Sequence, residues 1–380
     1  MSNVHISLVM IVKNEEKRLK NTLLSVLGYV DSFIIFDTGS TDNTINILKD
    51  FSKENNIPLY LLEGTFIDFS TSRNICLDFA DTIVSNDFLL LLDSNDELRG
   101  AEFLRKFCQE NKDKPNTGYY VLQEWWNGFR HEKYYNLKMV KSRKGWRYRG
   151  RVHEYLYDTG VKNNRNIEIS TIRIPDRLSI YQDRTQDDDK SKKRYETDKV
   201  ILLEELKDNP TDSRSIFYLA RTYMCLGNIK ESFNYFKIRT NLEGFSEELF
   251  ESFLKCGELS QKLKHDWYES FNWYIKAFEI IERVEPLLHI SSYYMHKNWF
   301  LSYTFASLAC KLSYPHRCRL FVDKHAYDYV RWHFLSVSGW YAGFFKEGRI
   351  ACVKAISSGF NIIDDNIILK YYDDRDKLKG

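Results

Sequence analysis

The sequence predicts an α/β domain built on a mostly parallel sheet, followed by an all-helical repeat domain. Over the first hundred residues, apolar runs of strand length alternate with segments of helical periodicity. Beyond Tyr195 strand signals fade and helical periodicity takes over. Between the two lies a charge-dense stretch without an apolar residue, Asp183 to Arg194. At 380 residues the chain exceeds what one core usually fills, so two domains are expected, 1–185 and 201–380, with 186–200 as a charged linker or helix start.

The elements follow in order. Ile6 to Val12 is a continuous apolar run, as in a strand buried on both faces, and Glu15 to Leu27 carries apolar residues at helical spacing. Phe33 to Phe36 is a second strand, closed by the polar loop Asp37 to Asp42, after which Asn43 to Phe51 resumes helical spacing. Pro58 to Leu62, a helix over Ser72 to Ala80, and a strand over Phe88 to Leu92 complete a series of β-α units. Such units give a parallel sheet that binds ligands at the carboxyl ends of its strands, where Asp37 and Asp93 fall. Tyr119 to Trp126 and Tyr134 to Val140 are strand-like, and with Arg147 to Glu154 they are expected to form the mixed far half of the sheet.

In the second half, Thr211 to Thr240 places Leu219, Ala220, Tyr223, Gly227, Ser232 and Phe236 at the packing positions of a 34-residue tetratricopeptide repeat. Glu248 to Phe278 and Pro286 to Leu312 look like altered copies. One such repeat cannot bury its apolar face alone, so at least three helix pairs are expected.

Composition narrows the function classes. With 43% hydrophobic and 28% charged residues the chain is an ordinary globular protein. A net charge of +2, from interleaved basic and acidic residues, provides no global field for nucleic acid or anionic lipid. Seven cysteines without a C-x-x-C pair fit neither a disulfide framework nor a zinc knuckle, which implies a reducing, cytoplasmic setting. The first apolar run is too short for a signal sequence, and no transmembrane segment is expected.

The chemistry concentrates in Asp93-Ser94-Asn95-Asp96-Glu97, directly after Phe88 to Leu92. Clustered acids at the end of a buried strand are costly unless a cation sits among them, and hard oxygen ligands suit Mg²⁺ or Mn²⁺. Taken together, Val9-Met10-Ile11-Val12-Lys13-Asn14-Glu15-Glu16, Asp37-Thr38-Gly39-Ser40-Thr41-Asp42-Asn43-Thr44, Ser72-Arg73-Asn74 and the acid cluster resemble the ordered motifs of family 2 glycosyltransferases of the GT-A fold. The resemblance covers roughly 1–180, and the helical half resembles the C-terminal extension of a tetratricopeptide-bearing subgroup of that family.

That resemblance implies an inverting hexosyl transfer from a UDP-sugar, of the UDP-glucose or UDP-GlcNAc type, to a hydroxyl on a glycan, protein or lipid-linked acceptor. It implies that Asp37 recognises the uracil or ribose, that Val12, Asn14 and Glu15 line the nucleoside pocket with help from Asp68, and that Arg73 approaches the diphosphate. In the family the acid cluster is a D-x-D motif whose last Asp contacts the metal. Here that position is Asn95, which brings no charge, so metal affinity should fall unless Asp96 substitutes. The expected metal set is Asp93, Asn95 and His153, the last from Arg151-Val152-His153-Glu154, which resembles the V-H-E motif of the subgroup. The catalytic base is open between Glu154, Glu124 beside Trp125 and Trp126, and Asp96. The aromatic helices beyond Trp267 suggest a homodimer. Two competing readings are a non-catalytic nucleotide-binding interaction protein with a degenerate metal motif, supported by Asn95, and a nucleotidyltransferase, disfavoured because no basic glycine-rich loop follows the first strand.

Overall fold

The computed structural model describes residues 4–85, 88–126, 128, 131–160, 170–185 and 190–377. It divides into two compact units, Met1–Arg194 and Tyr195–Gly380. In the first, β1 (Ile6–Val12), β2 (Ser32–Asp37), β3 (Leu59–Glu63) and β4 (Phe88–Leu91) run parallel, because a helical crossover joins each to the next. The remaining strands are β5 (Glu97–Arg99), β6 (Gly118–Trp126), β7 (His131–Lys141), β8 (Trp146–Arg149), β9 (Tyr155–Asp158), β10 (Thr171–Arg173) and β11 (Ser179–Asp183). The main sheet has nine strands in the order β3-β2-β1-β4-β7-β6-β11-β5, with β10 also beside β6. It is mixed and mostly parallel, the antiparallel pairs being β4/β7, β7/β6 and β11/β5.

Period-two alternation explains how this sheet is covered. Leu8, Met10, Phe33, Ile35 and Leu90 pack with Leu19, Leu23 and Val26 of α1 (Leu19–Val26) and with Leu48 and Phe51 of α2 (Thr44–Asn55). The alternate residues Val9, Ile34, Leu89 and Leu91 pack against Cys76, Leu77 and Ala80 of α3 (Phe69–Ile83). A further helix, α4 (Leu104–Asn111), adds Leu104 and Cys108 to the first layer.

Two expectations need correction. The first helix begins at Leu19, not Glu15, because residues 14–16 are bonded to the loop after β2. The stretch Arg147 to Glu154 is no part of the main sheet. Its strand β8 pairs antiparallel with β9 as a separate two-stranded ribbon, and 150–154 form the loop between them.

The second unit begins within α5 (Lys190–Asp208), at Tyr195, and continues as helices that pack pairwise: α6 (Ser213–Cys225) with α7 (Ile229–Arg239), α8 (Ser246–Lys262) with α9 (Trp267–Ile280), and α10 (Val284–Tyr294) with α11 (Trp299–Lys311). A further pair, α12 (Arg331–Ala342) and α13 (Phe345–Ser357), is followed by α14 (Ile362–Lys377). Of the spacing signals, Gly227 turns the chain at φ +80°, and Ser232 Oγ donates to the Ala220 carbonyl at 2.8 Å, tying the first pair together. Gly257 is required by close approach, since a Cβ there would lie 2.4 Å from the Tyr274 ring. Among the described residues no helix is long and apolar enough to cross a membrane.

Candidate active site

The carboxyl ends of β1, β2 and β4 converge as the parallel topology requires. After β1, Asn14 takes a left-handed conformation at φ +54°, and its Oδ1 accepts the Thr41 N–H at 2.7 Å. The Asn14 and Glu15 N–H groups donate to Ser40 Oγ at 3.0 Å and Thr44 Oγ1 at 2.8 Å. The two loops are thereby fixed to one another. Asp37 closes β2 only 2% exposed; its Oδ1 accepts the Gly39 and Ser40 N–H groups at 2.9 and 2.8 Å, while Oδ2 is buried with no hydrogen-bond partner among the described residues. Such an oxygen is costly to leave unsatisfied. Val12 offers this region backbone only, because its side chain is in the core and its carbonyl accepts from Thr38. Asp68 is spent on its own helix: it caps α3, accepting the Thr71 N–H at 2.7 Å and the Ser70 and Thr71 hydroxyls at 2.9 and 2.8 Å.

The acid cluster after β4 is threaded by cations. Arg73, on α3, donates from Nη2 to Asp93 Oδ1 at 2.5 Å and from Nε to Glu154 Oε1 at 2.8 Å. Lys138 donates from Nζ to Asp93 Oδ2 at 3.0 Å and Asp96 Oδ2 at 3.3 Å. The result is a chain of alternating charge, Glu154, Arg73, Asp93, Lys138, Asp96. Asp96 is fully buried, and its Oδ2 also accepts the Asp93 N–H at 2.9 Å. Gln182 Nε2 donates to Asn95 Oδ1 at 2.8 Å and Asp96 Oδ1 at 3.4 Å.

Electrostatics follow from this chain. Burial alone would raise the Asp93 carboxyl, but the Arg73 and Lys138 charges outweigh it and hold Asp93 well below the usual carboxylate range. Burial pushes Asp96 up, opposed by Lys138 and reinforced by the Asp93 charge. Burial would discharge Lys138, yet the two aspartates win and raise it, so it stays an ammonium.

Glu154 reaches Arg73 from the loop joining β8 to β9, where Gly150 at φ +96° and His153 at φ +51° make the bend. A left-handed non-glycine residue is a feature of functional loops. His153 itself is exposed. Glu124 lies elsewhere. Along β6 its neighbour Gln123 takes a hydrogen bond from Tyr134, while Glu124 alternates to the opposite face and pairs with Lys133 at 2.8 Å. It is not brought together with the acid cluster. Trp125 stands on the Gln123 face, under Arg184 at 3.1 Å from its ring centroid.

Residues 7–172 match the family model described as glycosyl transferase family 2. This segment is a family 2 glycosyltransferase domain. An uncharacterized glycosyltransferase of Rickettsia typhi is 29% identical over 112 residues, 29% of this chain and 35% of its own length. A TPR repeat-containing protein of Synechococcus elongatus is 36% identical over 94 residues, 24% of this chain and 21% of its own. The chain thus spans about a fifth to a third of the length of these relatives. Among solved structures, S. aureus TarS 1–349 in complex with UDP-GlcNAc has 15% identity and a TM-score of 0.38, covering 80% of this chain and 90% of that one. MamA has 13% identity and a TM-score of 0.36, covering 46% and 93%.

Within this glycosyltransferase domain the expected metal set does not fit a divalent ion. Mg²⁺ demands about 2.0–2.1 Å oxygen contacts from open ligands. Both Asp93 oxygens, the buried Asp96 and Asn95 Oδ1 are already engaged by Arg73, Lys138 and Gln182. Among the described residues, no group of three or more His, Cys, Asp or Glu side chains is arranged to hold a metal. Lys138 and Gln182 were not foreseen. The available signal was Lys138 itself, a lysine between the apolar Leu137 and Met139, which burial would oblige to find a carboxylate.

Proposed function

We propose that the chain is an inverting glycosyltransferase that moves a sugar from a UDP-sugar to a hydroxyl acceptor. The observation that carries this reading is the Glu154–Arg73–Asp93 chain at the strand ends of a family 2 domain, across β1 from the unpartnered Asp37 Oδ2. Asp37 Oδ2 takes a donor N–H or hydroxyl from the nucleoside. Arg73 uses two of its five N–H groups on carboxylates and offers the others to diphosphate oxygens, for which a planar guanidinium is suited. Of the three carboxylates considered as base, Asp96 is sealed from solvent and Glu124 sits on the opposite face. Glu154 remains: Arg73 orients it through Oε1, and Oε2, without a protein partner among the described residues, takes the acceptor proton as the acceptor oxygen attacks the anomeric carbon.

The test is a UDP-sugar panel by calorimetry and transfer assay. Glu154→Gln is expected to lower kcat by roughly 10²–10⁴-fold with UDP affinity kept. Absence of UDP binding, or a fully active Glu154→Gln, would overturn the reading. A second reading, nucleotide binding without catalysis, is favoured by the internal neutralisation of Asp93; it requires that every bound UDP-sugar stay intact.

A further inference from the structure

Lys138 is the extra residue of a β-bulge. On β6, Tyr119 pairs with Met139 and the next residue, Tyr120, pairs with Leu137, so Lys138 has no partner across the ladder. A bulge re-aims a side chain out of the pleat, and here it drives an ammonium, with its side chain 9% exposed, between Asp93 and Asp96. We infer that Lys138 takes the place of a divalent cation, so that ammonium and guanidinium charge grip the donor diphosphate and the reaction needs no metal ion. This rests on the UDP-sugar reading above.

Charge, geometry and access agree. An aspartate at position 95 would bring one more negative charge. Asn95 and the Lys138 ammonium together therefore supply the two positive units that a divalent ion would contribute. Both oxygens of Asp93, both of Asp96 and Asn95 Oδ1 are committed to protein N–H groups, and the Lys138 Nζ lies between the two aspartates. Access is kept on one side, since the Asp93 side chain is 32% exposed. One of the three Lys138 N–H bonds has no acceptor among the described residues. A phosphate oxygen arriving over Asp93 meets Lys138 and Arg73 together, as a metal-bound phosphate would meet its ion.

The experiment measures binding of UDP and of uridine, which lacks the diphosphate, to the full chain in EDTA and in excess MnCl₂. UDP affinity is expected to agree within twofold between the two conditions. Lys138→Met is expected to lose tenfold or more in UDP affinity with uridine affinity unchanged, and to acquire bound Mn²⁺ by electron paramagnetic resonance. Should that variant not fold, the wild-type comparison and the Mn²⁺ titration decide alone. A tenfold gain in UDP affinity on adding Mn²⁺, or wild-type Mn²⁺ binding that Asp93→Asn removes, overturns the inference and leaves the transferase reading standing. UDP binding in neither condition overturns both.

Discussion

The acid cluster of the first unit and the Arg283–Glu285 pair of the second use the same ingredients, a buried cation against a buried carboxylate, to opposite ends. Arg283 is fully buried and spends its guanidinium on Glu285 and on the Leu320 and Phe321 carbonyls; Glu285 in turn accepts the Asp323 N–H at 3.2 Å. That pair is closed. In the Arg73–Asp93–Lys138 chain, by contrast, Asp93 is one third exposed and the cations keep unused N–H groups among the described residues. Completion of hydrogen bonding, more than charge or burial, separates a strut from a site.

The sharpest way to break this contrast is to remove each cation. Arg283→Ala leaves Glu285 buried and unpaired and should cost the helical unit about 3–5 kcal/mol in chemical denaturation, with UDP affinity unchanged at temperatures where it stays folded. Arg73→Ala should do the reverse, lowering UDP affinity about 100-fold, near 3 kcal/mol, with a smaller loss of stability because Lys138 still holds Asp93. Equal stability losses would erase the distinction.

Titration sharpens it within the helical unit. Burial would raise Glu258, but the hydrogen bond from His289 and the charge of Lys255 bring it down to about 2. A depressed carboxylate contributes stability that is full above its ordinary value of 4.5 and vanishes as pH falls through 2. The stability gap between wild type and Glu258→Gln, about 2 kcal/mol at neutral pH given partial exposure, should therefore close between pH 4.5 and 2. A gap that persists at pH 2 refutes the assignment. The smallest effect belongs to Glu124→Gln, which should change kcat by less than about threefold, because its partner Lys133 is largely exposed and Glu124 lies on the opposite face of β6 from Gln123.

Much of the fold was legible. The runs Ile6 to Val12, Phe33 to Phe36 and Phe88 to Leu92 announce buried parallel strands, and the polar ends of the last two locate Asp37 and Asp93 without reference to anything distant in the chain. The ribbon β8–β9 was not, since Trp146 to Arg149 has the alternation of any edge strand and only pairing reveals which sheet it joins. Asp68 illustrates the same limit: an acid before a helix is equally a cap or a ligand until its neighbours Ser70 and Thr71 claim it.

By itself the sequence determined the β-α order, the two-unit division and the acids at the end of the fourth strand, because each depends on local periodicity and on hydrophobic burial. Only the tertiary structure decided that the Lys138 ammonium lies between Asp93 and Asp96. That outcome depends on a one-residue register slip between Tyr119 and Tyr120, and register is a property of two strands meeting, invisible in either alone.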